Sequence, residues 1–189
     1  MQPKQYQQTA LDILRRYLTA LTEQKGKQAQ AAALGIPFKW DVAAWEAIGR
    51  NMYRSRQTGA GQAAPNVCLK VPTGGGKTFM AVKAIDAISG IYRRSQTGMV
   101  LWIVPTTQIY NQTLKALRDR AHPYRQQLNM TSGDRALILE KDAVFTPEDV
   151  QSNLVVLLLM LPSANRENKE TLRLFKDRGG FEAFFPPED

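Results

Sequence analysis

Three consecutive glycines, Gly74 to Gly76, are followed directly by Lys77 and Thr78, between an apolar run and a helical pattern. Phosphate groups carry negative charge and many acceptor oxygens, so they bind where backbone N–H groups can approach them closely. Glycine permits that approach because it has no side chain. Lysine adds a cation, and a helix that begins here adds the positive end of its dipole. The run is therefore typical of a loop that binds a nucleoside triphosphate.

The phosphate-binding pattern gives each polar residue a role. Lys77 can reach the β- and γ-phosphates and Thr78 can place its hydroxyl on Mg²⁺, so these are the predicted catalytic residues, and Thr78 is the predicted metal ligand. The strict pattern asks for glycine where the chain has Val71. The alternative is a glycine-rich turn that only connects two elements, which the Gly-Lys-Thr triplet disfavours. The predicted phosphate-binding set is Thr73, Gly74, Gly75, Gly76, Lys77 and Thr78.

A second loop follows the apolar run from Met99 to Val104. It reads Pro105-Thr106-Thr107-Gln108-Ile109-Tyr110-Asn111-Gln112. With the phosphate loop, it makes the chain resemble the first motor domain of superfamily-two, DEAD/DEAH-like helicases and translocases. There the matching loop touches the nucleic-acid backbone, so the resemblance implies that Thr106 and Thr107 contact phosphates. Thr107 stands where that family usually has arginine, which argues against the RNA-specialised DEAD-box branch.

Near the N-terminus, Tyr6-Gln7 resembles the element with which many such motors recognise adenine, because the amide of Gln7 offers a donor and an acceptor to the base edge. Gln7 therefore joins the predicted ATP-binding set. The alternative is that Tyr6-Gln7 is only a polar surface segment at the start of an amphipathic helix. In the long separation of Gln7 from Lys77 and in the amino-acid sequence of the phosphate loop, the chain is most similar to the restriction (Res) subunit of type III restriction enzymes. That likeness implies ATP and Mg²⁺ as cofactors. It also implies duplex DNA, a second motor domain and a modification subunit as partners.

ATP hydrolysis in such motors needs one carboxylate for Mg²⁺ and another that orients the attacking water. The sequence has no Asp-Glu pair, and the nearest candidates, Glu140 and Asp142, are not adjacent. We therefore expect a motor fragment that ends before its acidic pair and binds ATP with little turnover. Two alternatives stay open, a small-molecule kinase with the same loop and a non-catalytic nucleotide-binding module. The loop after Val104 favours the motor over the kinase.

The charge balance favours a polyanionic partner. The 25 Lys and Arg residues exceed the 17 Asp and Glu residues and give a formal net charge of +8, and such cations release counterions when they neutralise phosphates.

The single Cys68 cannot form an internal disulfide and is expected to be buried in a strand. This cysteine usage fits a reducing cytoplasm. A polar N-terminus and apolar runs far shorter than the ~20 residues of a membrane span argue against export and insertion.

Hydrophobic periodicity predicts an α/β fold in which helices flank a largely parallel sheet behind an N-terminal helical extension. The resemblance to the helicase motor domains implies that this fold is of the P-loop, RecA-like type. The predicted division is a helical segment at 1–65, with the adenine element and a flexible loop, and a partial ATP-binding domain at 66–189. Asp41 is expected to cap the second helix. The predicted helices cover 7–23, 41–52, 78–90, 109–120 and 165–176, and the predicted strands cover 67–71, 99–104, 136–139 and 154–161.

Overall fold

The computed structural model describes residues 2–160, so the helix predicted at 165–176 lies outside the described residues. Packing groups the described chain into two compact units, the first ending at Arg94 and the second beginning at Ser95. The predicted division at residue 65 rests on motif content and stays a prediction. Among the helices of residues 2–160, none is both long enough and apolar enough to cross a membrane.

The first unit contains three α-helices. They are α1 (Gln5–Ala33), α2 (Trp40–Ala47) and α3 (Lys77–Ala87), and α3 continues as a π-helical stretch, Ile88–Arg93. The leucines of the predicted N-terminal helix recur at helical spacing and are buried, which confirms that helix, and its alanine- and glutamine-rich continuation lengthens it. The core of this unit comprises Leu14, Tyr17, Leu18, Ala20, Leu21, Trp40, Ala44 and Ala87.

An aromatic cluster holds the chain segment that leads into the phosphate loop. The hydroxyl of Tyr17 donates to the hydroxyl oxygen of Tyr53 (3.1 Å), which also accepts from the backbone N–H of Asn66 (3.0 Å). Trp45 meets the ring of Tyr17 edge-on, with centroids 5.2 Å apart. Burial raises the pKa of Tyr17. These contacts fasten the segment before the loop to α1 and α2.

Three local predictions for this unit are wrong. The run Val67–Val71 forms no strand, and Cys68 is exposed rather than buried. A strand exists only where a neighbour supplies its hydrogen bonds, and these residues have β propensity without such a neighbour in the described chain. Asp41 does not cap α2, because Lys39 is the N-cap; Asp41 is buried in the first turn, where its carboxylate accepts from the hydroxyl of Ser55.

The second unit is a parallel three-stranded sheet flanked by helices. Its elements are β1 (Gly98–Val104), α4 (Thr107–Arg118), α5 (Pro123–Ser132), β2 (Ala136–Glu140), α6 (Pro147–Ser152) and β3 (Leu154–Met160). The strand order is β1-β3-β2, and Gly98 and Ala136 both pair with Leu154. The continuous apolar run of β3 is explained by burial on both faces, since every residue from Leu154 to Leu159 is buried, and its central place gives it a strand partner on each edge. The predicted α/β class with a parallel sheet is confirmed.

The helix α5 was not expected from the sequence. The prediction that His122-Pro123 ends α4 is wrong, because α4 ends at Arg118 with Asp119 as its C-cap. His122-Pro123 instead begins α5: Nδ1 of His122 accepts from the backbone N–H of Tyr124 (3.2 Å), and Pro123 occupies the first turn. The buried Arg125 of α5 donates to the carbonyls of Leu117 (3.2 Å) and Ala136 (2.8 Å). One side chain thus ties α4, α5 and β2 together.

Candidate nucleotide-binding site

The glycine loop lies at the N-terminus of α3, and its three glycines are required for different reasons. Gly74 and Gly76 have φ of +73° and +76°, in the left-handed region that L side chains rarely adopt. Gly75 is buried, and a Cβ there would lie only 2.8 Å from both the carbonyl oxygen of Pro72 and Cγ1 of Val71. Backbone curvature and close packing together exclude side chains from the loop.

The carbonyl of Pro72 closes the loop. Its oxygen accepts from the backbone N–H of Gly75 (2.9 Å) and from Nζ of the exposed Lys77 (2.9 Å). The ammonium group therefore lies across the loop that it is predicted to serve, and its three N–H donors allow it to contact phosphate oxygens with or without the Pro72 oxygen. Thr78, in the first turn of α3, is half-buried.

The N-terminus of α3 is suited to an anion. The N-cap residue is Gly76, and no side chain of residues 2–160 caps the helix with a hydrogen bond. The first-turn N–H groups of a helix have no partner within that helix, and here no acidic side chain in the first turn offsets their partial positive charge. Backbone donors and a lysine thus lie together at one loop, which is the chemistry that a triphosphate requires.

The predicted adenine element contacts the loop directly. The hydroxyl of Tyr6 and Nε2 of Gln7 both donate to the carbonyl oxygen of Gly75, at 2.9 and 2.8 Å. Oε1 of Gln7 accepts from the backbone N–H of Lys4 (2.8 Å), and the Gln7 side chain is buried. Each amide atom of Gln7 uses one of its two hydrogen-bonding capacities in these contacts. The structure therefore brings Gln7 to the phosphate loop.

A family model described as the res subunit of type III restriction enzymes matches residues 1–180. The chain belongs to this family. No curated protein and no solved structure matches the chain. The family is a DEAD/DEAH-like, P-loop first domain, so this Res-type chain is an ATP-binding, helicase-type motor domain, and its predicted fold class is confirmed.

The second predicted loop of this Res-type domain lies at the carboxyl end of β1. Thr106 is the N-cap of α4, and its hydroxyl oxygen accepts from the backbone N–H of Ile109 (3.3 Å). The hydroxyl of Thr107 donates to Sδ of Met160 (3.5 Å), at the carboxyl end of β3. Both threonines are exposed. They lie at the same edge of the sheet as the end of β3, because parallel strands end on the same side.

A polar cluster at the same edge was missed by sequence reasoning. Glu140, at the end of β2, accepts from the hydroxyl of Tyr110 (2.8 Å) and from Nη2 of Arg118 (2.5 Å). The hydrogen bond from Tyr110, together with the charge of Arg118, lowers the pKa of the Glu140 carboxyl. Burial and the same hydrogen bond raise the pKa of Tyr110 to about 12. No local pattern links α4 with β2, so only their packing shows that this carboxylate is already engaged.

A cavity of about 440 Å³ opens beside this cluster. Its lining comes from α4, from the ends of β2 and β3, and from the turn after β2, which contains Lys141 and Asp142. Within residues 2–160, no three His, Cys, Asp or Glu side chains are grouped as metal ligands would be.

Proposed function

We propose that this chain binds Mg·ATP at Thr73–Thr78 and serves as the nucleotide-binding, DNA-contacting part of a translocating motor in a restriction or defence enzyme. The observation that carries the proposal is the cradle around Gly75, where no Cβ fits and where an uncapped helix presents its N–H groups. Membership in the Res family supports the motor rather than a kinase or a non-catalytic nucleotide-binding module.

In this proposal each loop residue acts on the triphosphate. Lys77 exchanges the Pro72 carbonyl for the β- and γ-phosphate oxygens, and the hydroxyl of Thr78 ligates Mg²⁺. The backbone of the glycines supplies neutral donors. Gln7 has one donor and one acceptor left for the edge of adenine, so ATP is preferred over GTP.

The test is a titration of a fluorescent ATP analogue against wild type, Lys77→Ala and the matched variant Lys70→Ala. Lys70 is exposed in the segment before the loop, so its removal changes the net charge equally without touching the phosphates. We expect Lys77→Ala alone to lose binding, and ATP to compete better than GTP. Equal affinities of wild type and Lys77→Ala would sink the nucleotide assignment, and equal competition by GTP would sink the base preference.

The proposed DNA contact uses the N-terminus of α4, where Thr106 and Thr107 are exposed on a chain of net charge +8. Binding of duplex DNA should be independent of its sequence and should weaken as salt is added. A plot of log affinity against log salt concentration should have a slope of about −0.9 for each phosphate neutralised. Thr106→Asp and Thr106→Asn form a matched pair, because both side chains cap helices well and only aspartate repels a phosphate. We expect the aspartate variant alone to weaken binding. Equal binding by the pair, or binding insensitive to salt, argues against this contact.

The whole enzyme is proposed to contain a second motor domain and to act with a modification subunit, as the Res likeness implies. We place it in the reducing cytoplasm, since Cys68 is an exposed free thiol that an oxidising compartment would leave open to modification.

A further inference from the structure

Two side chains at the start of α1 converge on one backbone atom of the phosphate loop. The hydroxyl of Tyr6 and the amide of Gln7 approach the Gly75 carbonyl oxygen at 2.9 and 2.8 Å, and both lie nearly seventy residues away from it in sequence. The carbonyl has two lone pairs, so the two donors use its full accepting capacity. We refer to these three groups as the Gly75 clamp.

The clamp sets the direction of the next N–H group. In a planar trans peptide the carbonyl and the following N–H point in opposite directions. With the Gly75 oxygen held toward α1, the N–H of Gly76 is directed away from α1. An anion can meet that N–H without competing with Tyr6 or Gln7. Rotation of this peptide would break both hydrogen bonds at once.

Gln7 also packs tightly against the loop. A Cβ built on Gly76 would lie 2.8 Å from Nε2 of Gln7, so the amide occupies the space beside that glycine. The amide is itself held, because its Oε1 accepts from the backbone N–H of Lys4 (2.8 Å) and its side chain is buried. The clamp is therefore anchored to the first turn of α1 and does not depend on a bound base.

We propose that Tyr6 and Gln7 are positioning residues that hold the loop in its phosphate-binding conformation before any ligand arrives. This inference rests on the proposed function, and it goes beyond base recognition in one respect that can be measured. If Gln7 served adenine alone, its loss would not affect a ligand without a base. The clamp instead makes the affinity for a bare polyphosphate depend on both side chains.

The probe is inorganic tripolyphosphate with Mg²⁺, compared with Mg·ATP by calorimetric titration. Tyr6→Phe removes only the hydroxyl, and Gln7→Glu keeps the acceptor for Lys4 but replaces the donor that faces Gly75. Loss of one neutral hydrogen bond predicts a weakening of about 2- to 12-fold for Tyr6→Phe toward both ligands. Gln7→Glu should weaken both further, because an acceptor then faces an acceptor.

The matched controls are Tyr92→Phe, which removes another tyrosine hydroxyl of the same unit, and Gln5→Glu, which adds the same charge on exposed surface nearby. Both should bind as wild type does, and thermal melts of all variants check that the fold is kept. If Gln7→Glu does not fold, Tyr6→Phe carries the test alone.

The outcomes separate the two hypotheses. If the wild-type protein binds both ligands, and Tyr6→Phe and Gln7→Glu bind tripolyphosphate with the same affinity as wild type, the clamp is refuted and the nucleotide site is not. A loss confined to ATP also overturns it, because Gln7 would then serve the base only. Wild-type protein that binds neither ligand refutes the proposed function and the clamp with it. A parallel loss for ATP and tripolyphosphate supports the clamp.

Discussion

Alanine substitutions of the three loop glycines should weaken ATP binding to different and predictable extents. At Gly74 the added Cβ meets nothing within 4 Å, so Gly74→Ala changes only the backbone preference at φ +73°. A left-handed conformation costs an L residue roughly 1–2 kcal/mol. This strain lets the loop of the Gly74→Ala variant relax from the conformation that the wild-type loop keeps when free. The variant must recover that conformation to bind, which corresponds to about 5- to 30-fold weaker affinity.

The other two substitutions add a collision. Gly75→Ala places Cβ 2.8 Å from a backbone oxygen and from Cγ1 of Val71, and overpacking of this kind costs roughly 1–3 kcal/mol. Gly76→Ala combines the strain at φ +76° with a contact of 2.8 Å to the Gln7 amide. We therefore expect Gly76→Ala to lose more affinity than Gly74→Ala.

The assay is the same fluorescent-nucleotide titration, with thermal melts to separate binding from stability. Gly61→Ala is the matched control: Gly61 has φ +73° and open space around it, as Gly74 does, but it lies in the hairpin-like loop closed by the Gln57–Ala63 bridge. It should lower stability without changing affinity. An equal loss for Gly74→Ala and Gly76→Ala, or a loss of affinity in Gly61→Ala, would refute the reasoning.

Three further predictions concern the second unit. Arg125→Met should lower the free energy of unfolding in urea by roughly 1–3 kcal/mol for each of the two carbonyls left without a partner, whereas the exposed Arg16→Met should not. Because the pKa of Glu140 is lowered in the fold, its stabilising contribution is present above about pH 4.5 and is lost as the pH falls through the lowered value. The melting temperature of Glu140→Gln should therefore change less on acidification than that of wild type. Melting temperatures that fall equally in both proteins would contradict this prediction. Steady-state phosphate release from ATP by this chain should be no faster than that of Lys77→Ala, because Tyr110 and Arg118 already engage the Glu140 carboxylate that would have to orient the attacking water. A higher rate that disappears in Glu140→Gln would overturn that expectation.

Local chemistry was sufficient for much of this protein. The Gly-Lys-Thr triplet indicates a phosphate loop because its requirements are local: small residues, a cation and the start of a helix. The leucine spacing of α1 and the apolar runs of β1 and β3 predict their elements for the same reason, since helical and strand periods are written in neighbouring residues. Helix bounds were less accurate, as the extension of α1 to Ala33 shows.

Contacts between distant segments could not be predicted in this way. The run Val67–Val71 has strand propensity, but a strand forms only with a partner that supplies its hydrogen bonds. The engagement of Glu140 depends on a helix and a strand that are brought together by packing. Gln7 is the clearest case. Its residue type indicates what an amide can recognise, whereas the carbonyl it contacts, that of Gly75, is set by the fold, because hydrogen-bond partners are chosen by proximity in space and not in sequence.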